Sequence, residues 1–352
     1  MRPKVIVAMS GGVDSSVVAY LLKKRGYDVK GVFMRNWHNT EDKHCSIKRD
    51  IVDVIAVAEI LDIEIEIIDF SKEYYEEVFS DFIAEYKAYR TPNPDVFCNS
   101  KIKFKVFLEY AQSCGADYMA TGHYVAKKQQ GEHQLLLKAK DSNKDQSYFL
   151  YRLNQQQLQF SLFPLANFCK PEIRAIAQQI GLPNANKKDS VGICFVGNHR
   201  KFRKFLSQYL SDEPGDICCI NTGKILGNHY GLSYYTIGQR QGLNINNGPW
   251  FVVQKNIKDN ILLVANGHNN PSLYSSKLTA KNLSFINQNH LINNHKYQGR
   301  IRYRMEATDC VVNYIDNDTI NVTFDYPQFA VTAGQSVVIY DNDICLGGGI
   351  IE

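Results

Sequence analysis

The sequence predicts an α/β chain with a parallel sheet in its N-terminal half and mostly β structure in its C-terminal half. Three observations predict it. From residue 4 to about residue 180, short β-rich apolar runs alternate with longer stretches of helical period. After Phe205 the chain changes to short alternating segments punctuated by Gly, Asn and Asp. The 352 residues, 44% apolar and 22% charged, suffice for roughly two or three separate cores.

Each element has its own signal. Strands are expected over 5–8, 29–34, 64–70 and 118–122, where short apolar runs are bounded by turn residues. Helices are expected over 15–25, 47–61, 72–90 and 103–114, with Gly26 and Gly115 placed as C-terminal caps. Farther on, 261–265, 300–304, 319–324 and 336–340 read as strands. Asp316-Asn317-Asp318 and Asp341-Asn342-Asp343 read as hairpin turns, and an Asn, Pro and Ser cluster over 267–276 as a further division.

Composition excludes several classes. The longest apolar run, 17–22, is far short of the roughly 20 residues that span a bilayer, so no membrane association is expected. The apolar start is cut at Ser10-Gly11-Gly12 before a secretion signal is complete, so a cytoplasmic protein is expected. A net charge of +4 is too weak by itself to demand an anionic partner. Nine cysteines without one C-x-x-C pair argue against a disulfide scaffold and a zinc ribbon, and no metal site is expected. A functional cysteine here should be a reduced thiol, acting singly or with one distant partner.

Ser10-Gly11-Gly12-Val13-Asp14-Ser15-Ser16, between a strand and a helix, is the most informative motif. Two glycines let backbone approach an anion, serines add donors, and the helix N-terminus presents free N–H groups to phosphate. Without a Walker lysine, pyrophosphate binding with attack at the α-phosphate fits better than γ-transfer. The plain alternative is a tight turn capped by Asp14 or Ser15.

Residues 91–99 read as a stiff loop between two helices, in which Pro92 and Pro94 set the geometry of Asp95 and Cys98. Lys101, Lys103 and Lys105 would lower the Cys98 pKa if the thiol is partly exposed; a buried small cysteine is the alternative. Residues 187–204 hold six Lys or Arg against one Asp, with Phe202 interleaved and Cys194 between Gly192 and Gly197. That is a phosphate-backbone patch or a solvated face. Thr121-Gly122-His123-Tyr124 ends a strand, at the edge where open α/β sheets bind ligands. The polar run over 141–148 is a ligand loop or only a loop. Arg300, Arg302 and Arg304 would share one strand face, a positive stripe or a solvent face.

Together these motifs resemble the tRNA-specific 2-thiouridylase family, from Val5 to Glu352. Ser10 to Ser15 is shared with the wider PP-loop pyrophosphatase superfamily. The narrower likeness lies in Pro92 to Lys103, Ala120 to Tyr124, Asp141 to Leu150, Lys188 to Phe195, and Cys345 to Glu352. The resemblance implies a Rossmann-like PP-loop domain over 1–205, a small central β-rich domain over 206–272 and a C-terminal β-barrel over 273–352. It implies an ATP site at Ala8, Met9, Ser10, Gly11, Gly12, Val13, Asp14, Ser15, Met34 and Gly122, with Mg2+ accompanying ATP. Asn93, Pro94 and Asp95 would meet the target base. His123, Lys144, Asp145, Gln146, Arg302, Tyr303 and Gln335 would contact tRNA. Cys98 is similar to the family nucleophile, Cys194 to its persulfide carrier, and Asp95 is a candidate acid or base. The stretch 36–45, with His38, His44 and Cys45, follows the family only loosely.

The implied activity is thiolation of the wobble uridine in the anticodon stem-loop of tRNA. ATP adenylates the uridine O2, and persulfide sulfur, delivered by a sulfur-relay or cysteine desulfurase protein, displaces AMP. Two rivals remain. Another PP-loop ligase would explain Ser10 to Ser16 but neither the cysteines nor the basic stretches; a non-catalytic RNA-binding protein with structural nucleotide would leave both cysteines replaceable.

Overall fold

The computed structural model describes residues 2–37, 47–189, 202–287 and 291–352. The first sheet is built from β1 (Lys4–Met9), β2 (Asp28–Arg35), β3 (Glu64–Asp69), β4 (Tyr118–Ala120) and the two-residue β7 (Ser161–Leu162). Its order is β3-β2-β1-β4-β7, all parallel. Alternation along β1 divides the core: Val5, Val7 and Met9 join the cluster that contains α1 (Val13–Lys24), α2 (Ile47–Leu61) and α8 (Lys170–Gln179). Ile6 and Ala8 join the cluster on the other face. Both faces of a parallel sheet are thereby covered. The chain runs from β1 outward to β2 and then returns past β1 to β4, so the switch point of the sheet lies between the ends of β1 and β4.

On the second face, α3 (Ser71–Tyr74), a π turn (Tyr75–Phe79) and α4 (Ser80–Lys87) run on from one another. After a short extended stretch come α5 (Pro94–Phe97), a π segment (Cys98–Val106) and α6 (Phe107–Ser113). The expected loop over 91–99 is therefore only half a loop. Pro94 occupies the first helical turn, where a missing N–H is harmless, and the extended Asn93 is the N-cap. The expected helix over 72–90 stops earlier, because Tyr89 takes φ +62°.

β8 (Gly215–Cys219), β9 (Ile225–His229), β10 (Trp250–Asn256) and β11 (Ile261–Asn266) form a second sheet; α9 (Phe202–Leu206) precedes it. The third sheet takes β12 (Tyr274–Phe285), β13 (Lys296–Arg300), β14 (Thr308–Asp316), β15 (Thr319–Phe329), β16 (Ser336–Asp341) and β17 (Ile344–Ile351). Pairing of β12 with β17 closes these six strands into a barrel. Both Asp-Asn-Asp turns fall where hairpins were expected, between β14 and β15 and between β16 and β17. Two features differ from the sequence reading. The hairpin of β5 (Val125–Gln130) and β6 (His133–Lys138) leaves the first half of the chain and pairs with β17. The strand expected over 300–304 ends at Arg300, because the next residues turn away to bring the Arg302 guanidinium to backbone carbonyls. Among the described residues, no helix is long and apolar enough to cross a membrane.

Candidate active site

The loop between β1 and α1 is held open by its own serines. Ser10 Oγ accepts from the Gly12 N–H at 3.3 Å; Ser15 Oγ accepts from the Ser10 N–H at 3.1 Å and donates to the Gly12 carbonyl at 3.2 Å. Gly12 is the N-cap and offers no side-chain acceptor, so the first turn of α1 keeps N–H groups to present to an anion. Gly11 has φ +74°, and a Cβ there would stand 2.6 Å from the Asp50 carbonyl oxygen. At the other side of the switch point, a Cβ on Gly122 would stand 3.1 Å from the Ser15 nitrogen. Glycine at 11 thus lets the Asp50 backbone pack against the loop, and glycine at 122 leaves the Ser15 N–H clear for an anion. An open pocket of about 500 Å³ adjoins the loop, lined by Lys48, Arg49, Val52, Asp53, Asn184 and Lys187.

A charge network anchors the loop to α8 and the stretch before residue 190. Lys170 donates to both Asp14 oxygens at 2.7 Å and lies 2.8 Å from Asp189. Tyr124 donates to Asp14 at 2.7 Å. Burial first, and then the Asp14 charge, push the Tyr124 hydroxyl well above its ordinary range, so it remains a donor. Asp189 also accepts from Lys144 at 2.6 Å and Arg174 at 3.1 Å. Burial alone would raise this carboxyl, but Lys144 and Lys170 outweigh it and hold the pKa at about 2. Behind the glycines, Asn184 donates to the Gly11 carbonyl and Ser16 Oγ, and Lys187 to Gly11, Asp50 and Asp53.

Cys98 is buried where the π segment begins, not partly exposed. The same segment places Phe104 5.7 Å from the His123 ring, whose Nδ1 lies 2.8 Å from Thr121 Oγ1. Burial, with Lys103 adding to it, lowers the His123 pKa well below its ordinary value and keeps the ring neutral. Asp95 retains an exposed surface, but the crowded protein around it raises its carboxyl pKa against the opposing Lys103 charge. A carboxyl shifted upward in this way is suited to proton transfer.

Three family models match the chain. They are described as the tRNA methyl transferase HUP domain (residues 3–198), the tRNA methyl transferase PRC-barrel domain (203–266) and the aminomethyltransferase beta-barrel domain (275–351). The tRNA-specific 2-thiouridylase MnmA of Thiobacillus denitrificans is 53% identical over 359 residues, covering 100% of both chains. The chain belongs to the tRNA-specific 2-thiouridylase family. Family members from Nitrosomonas eutropha and Neisseria meningitidis are each 52% identical, covering 99% of this chain and 98% and 95% of theirs.

In this 2-thiouridylase family member, Ser10 to Ser15, Gly122, Lys144 and Gln146 lie in one bonded neighbourhood. Tyr124 donates its N–H to Gln146 at 3.0 Å, and Lys144 reaches Asp189. Ala8 and Met9 are buried at the end of β1, and Met34 is half-buried near the end of β2. Asp145 is buried, pairing with Arg300 at 3.0 Å, and Tyr303 packs 4.4 Å from Phe149. The Asn93 side chain meets the Tyr148 hydroxyl. Arg302 and Gln335 face other parts of the chain: Arg302 donates to the Ile237 and Ala330 carbonyls and Thr332, and Gln335 to the Thr91 and Pro92 carbonyls. Cys194, residues 190–201 of its basic stretch, and His38, His44 and Cys45 lie outside the described residues; of the cations in that stretch, Lys187 pairs with Asp50 and Asp53 and Arg203 with Asp212, while Lys188 and Lys204 are exposed. Sequence reasoning missed Lys170, Asn184 and Asp50. Lys170 had one signal, a cation in the first turn of a helix, where the helix dipole disfavours it.

Proposed function

We propose that this chain thiolates tRNA, converting the wobble uridine to 2-thiouridine with cleavage of ATP to AMP and pyrophosphate. The observation that carries this reading is the likeness to 2-thiouridylases over the entire chain, which includes the glycine loop and the Cys98 helix together. The names of the matching family models refer to methyl transfer. A pyrophosphate-type loop at a sheet switch point favours adenylation instead.

The proposed sequence begins with ATP, its phosphates against Ser10 to Ser15 and its base and ribose near Ala8, Met9, Met34 and Gly122. Mg2+ would accompany it and neutralise phosphate charge; Asp14, the one carboxylate of the loop, is paired with Lys170 and Tyr124 and would have to give up Lys170 to hold the ion. The uridine, turned out of its stack, presents O2 to the α-phosphate, and pyrophosphate leaves. Sulfur carried as a persulfide on Cys194, and supplied by a donor protein, replaces AMP at C2. Either the outer persulfide sulfur attacks C2, AMP leaves, and Cys98 then attacks the Cys194 sulfur to free the 2-thiouridine, or Cys98 first attacks the Cys194 sulfur and the sulfide so released attacks C2 and expels AMP. Both routes leave a Cys98 to Cys194 bond that a reductant opens. Asp95, with its raised pKa, moves the proton near the base. Asn93, Asp95, Lys144, Gln146 and Tyr303 contact tRNA directly. Pro94, His123 and Asp145, which are buried, and Arg302 and Gln335, which are turned to carbonyls of other segments, hold that face in shape, whereas the half-buried Lys144 and Gln146 would exchange Asp189 and Tyr124 for tRNA. The site acts in the cytoplasm, where tRNA is found.

Nucleoside mass spectrometry of tRNA incubated with ATP and a persulfide donor tests the proposal. We expect 2-thiouridine at the wobble position, lost in Cys98→Ser and Cys194→Ser. A methylated nucleoside, or no change, overturns it.

A further inference from the structure

We infer that Lys255, on β10 of the second sheet, is a positioning residue for the Asp95 and Cys98 turn. This rests on the function proposed above. The observation behind it is a convergence of the second sheet and the barrel on four residues, Tyr89 to Pro92, that lie between α4 and α5.

Tyr89 is the key of this strap. Its φ of +62° is uncommon for a residue with a bulky side chain and persists only where neighbours enforce it. The enforcing contacts come from the second sheet and its approach. Lys255 Nζ donates to the Tyr89 carbonyl at 2.7 Å, and the Tyr89 hydroxyl donates to Glu213 at 3.2 Å. Two residues on, Thr91 Oγ1 lies 3.1 Å from Thr236 Oγ1.

The barrel closes on the same strap from its other side. The Thr91 N–H donates to the Ala333 carbonyl at 2.9 Å, and Gln335 takes the Thr91 and Pro92 carbonyls. Asn93, the N-cap from which Asp95 and Cys98 are counted, follows immediately. An error in the strap therefore carries directly into the first turn of α5.

Lys255 reaches the strap because β10 is irregular. Its register against β11 shifts between Val252 and Gln254, so one extra residue offsets the alternation of the strand. Such bulges re-aim side chains, and they are enriched beside active sites. Burial lowers the Lys255 pKa to about 8, so the ammonium is held there at a desolvation penalty.

Two measurements on the full chain test the assignment. In the first, hydrogen exchange of the peptide covering residues 86–99 is followed in wild type, Lys255→Met and Lys255→Arg. We expect exchange about tenfold faster or more in Lys255→Met, confined to this peptide, and restored by Lys255→Arg, which keeps the donor. Unchanged exchange, or a general increase accompanied by a lower melting temperature, overturns the inference. This readout does not depend on any activity, so it separates failure of the inference from failure of the proposed function.

In the second, thiolation kinetics should show kcat lowered about tenfold or more in Lys255→Met, with KM for ATP and the melting temperature unchanged. Lys255→Arg should recover most of kcat. Full kcat in Lys255→Met would contradict a positioning role.

Discussion

Asp189 carries three cations on one carboxylate, Lys144, Lys170 and Arg174. Its folded pKa of about 2 lies below the ordinary 3.8, so ionisation favours the folded state. That contribution is complete above about pH 4 and disappears as the pH falls through about 2. In urea unfolding, the stability gap between wild type and Asp189→Asn should accordingly be widest near pH 6 and narrow steadily below pH 4. A gap that does not vary with pH would mean that the network is not electrostatic. None of this was legible from the sequence. Asp189 reads there as one acid in a basic stretch, and nothing local reveals that Lys170 and Lys144 arrive from other segments.

At the scale of elements, the strand, glycine loop and helix at residues 4–24 were legible because their signals are local: β-branched residues, then Gly-Gly, then a helical apolar period. Gly11 makes a sharp prediction. With φ +74° and Asp50 backbone 2.6 Å from any Cβ, Gly11→Ala must both strain the loop and displace α2. Isothermal calorimetry should report ATP affinity weakened about tenfold or more; wild-type affinity would show that the loop does not hold phosphate. The helix start at Pro94 was misread because two prolines in three residues signal a loop, although proline is equally at home in a first helical turn. The π segment after Cys98 had no signal, since no residue type or spacing in this stretch marks the change from i→i+4 to i→i+5 bonding.

Over the whole molecule, the arginine alternation at 300, 302 and 304 suggested an exposed positive stripe, but tertiary partners decide otherwise. Arg300 is paired with buried Asp145, and Arg302 is spent on carbonyls joining the second and third sheets. Pattern alone cannot distinguish a cation facing solvent from one facing orphan carbonyls. The half-exposed Lys144 is the better phosphate contact. In tRNA binding titrated against salt, Lys144→Ala should reduce the slope of log K against log [salt] by about 0.7–0.9, while Arg302→Ala should leave the slope unchanged and lower the melting temperature. A slope that changes only in Arg302→Ala would reverse these roles. The β5 and β6 hairpin, which extends the barrel sheet from the first half of the chain, was likewise hidden, because its partner strand is some two hundred residues away.

The most direct test of the account is the stoichiometry of one reaction containing the full chain, tRNA, ATP and a persulfide donor, in which nucleotides and thiolated uridine are quantified together. One AMP and one pyrophosphate should form for each 2-thiouridine, with AMP and 2-thiouridine falling together in Gly11→Ala at limiting ATP. ADP as the main nucleotide product, or 2-thiouridine formed without AMP, would contradict it.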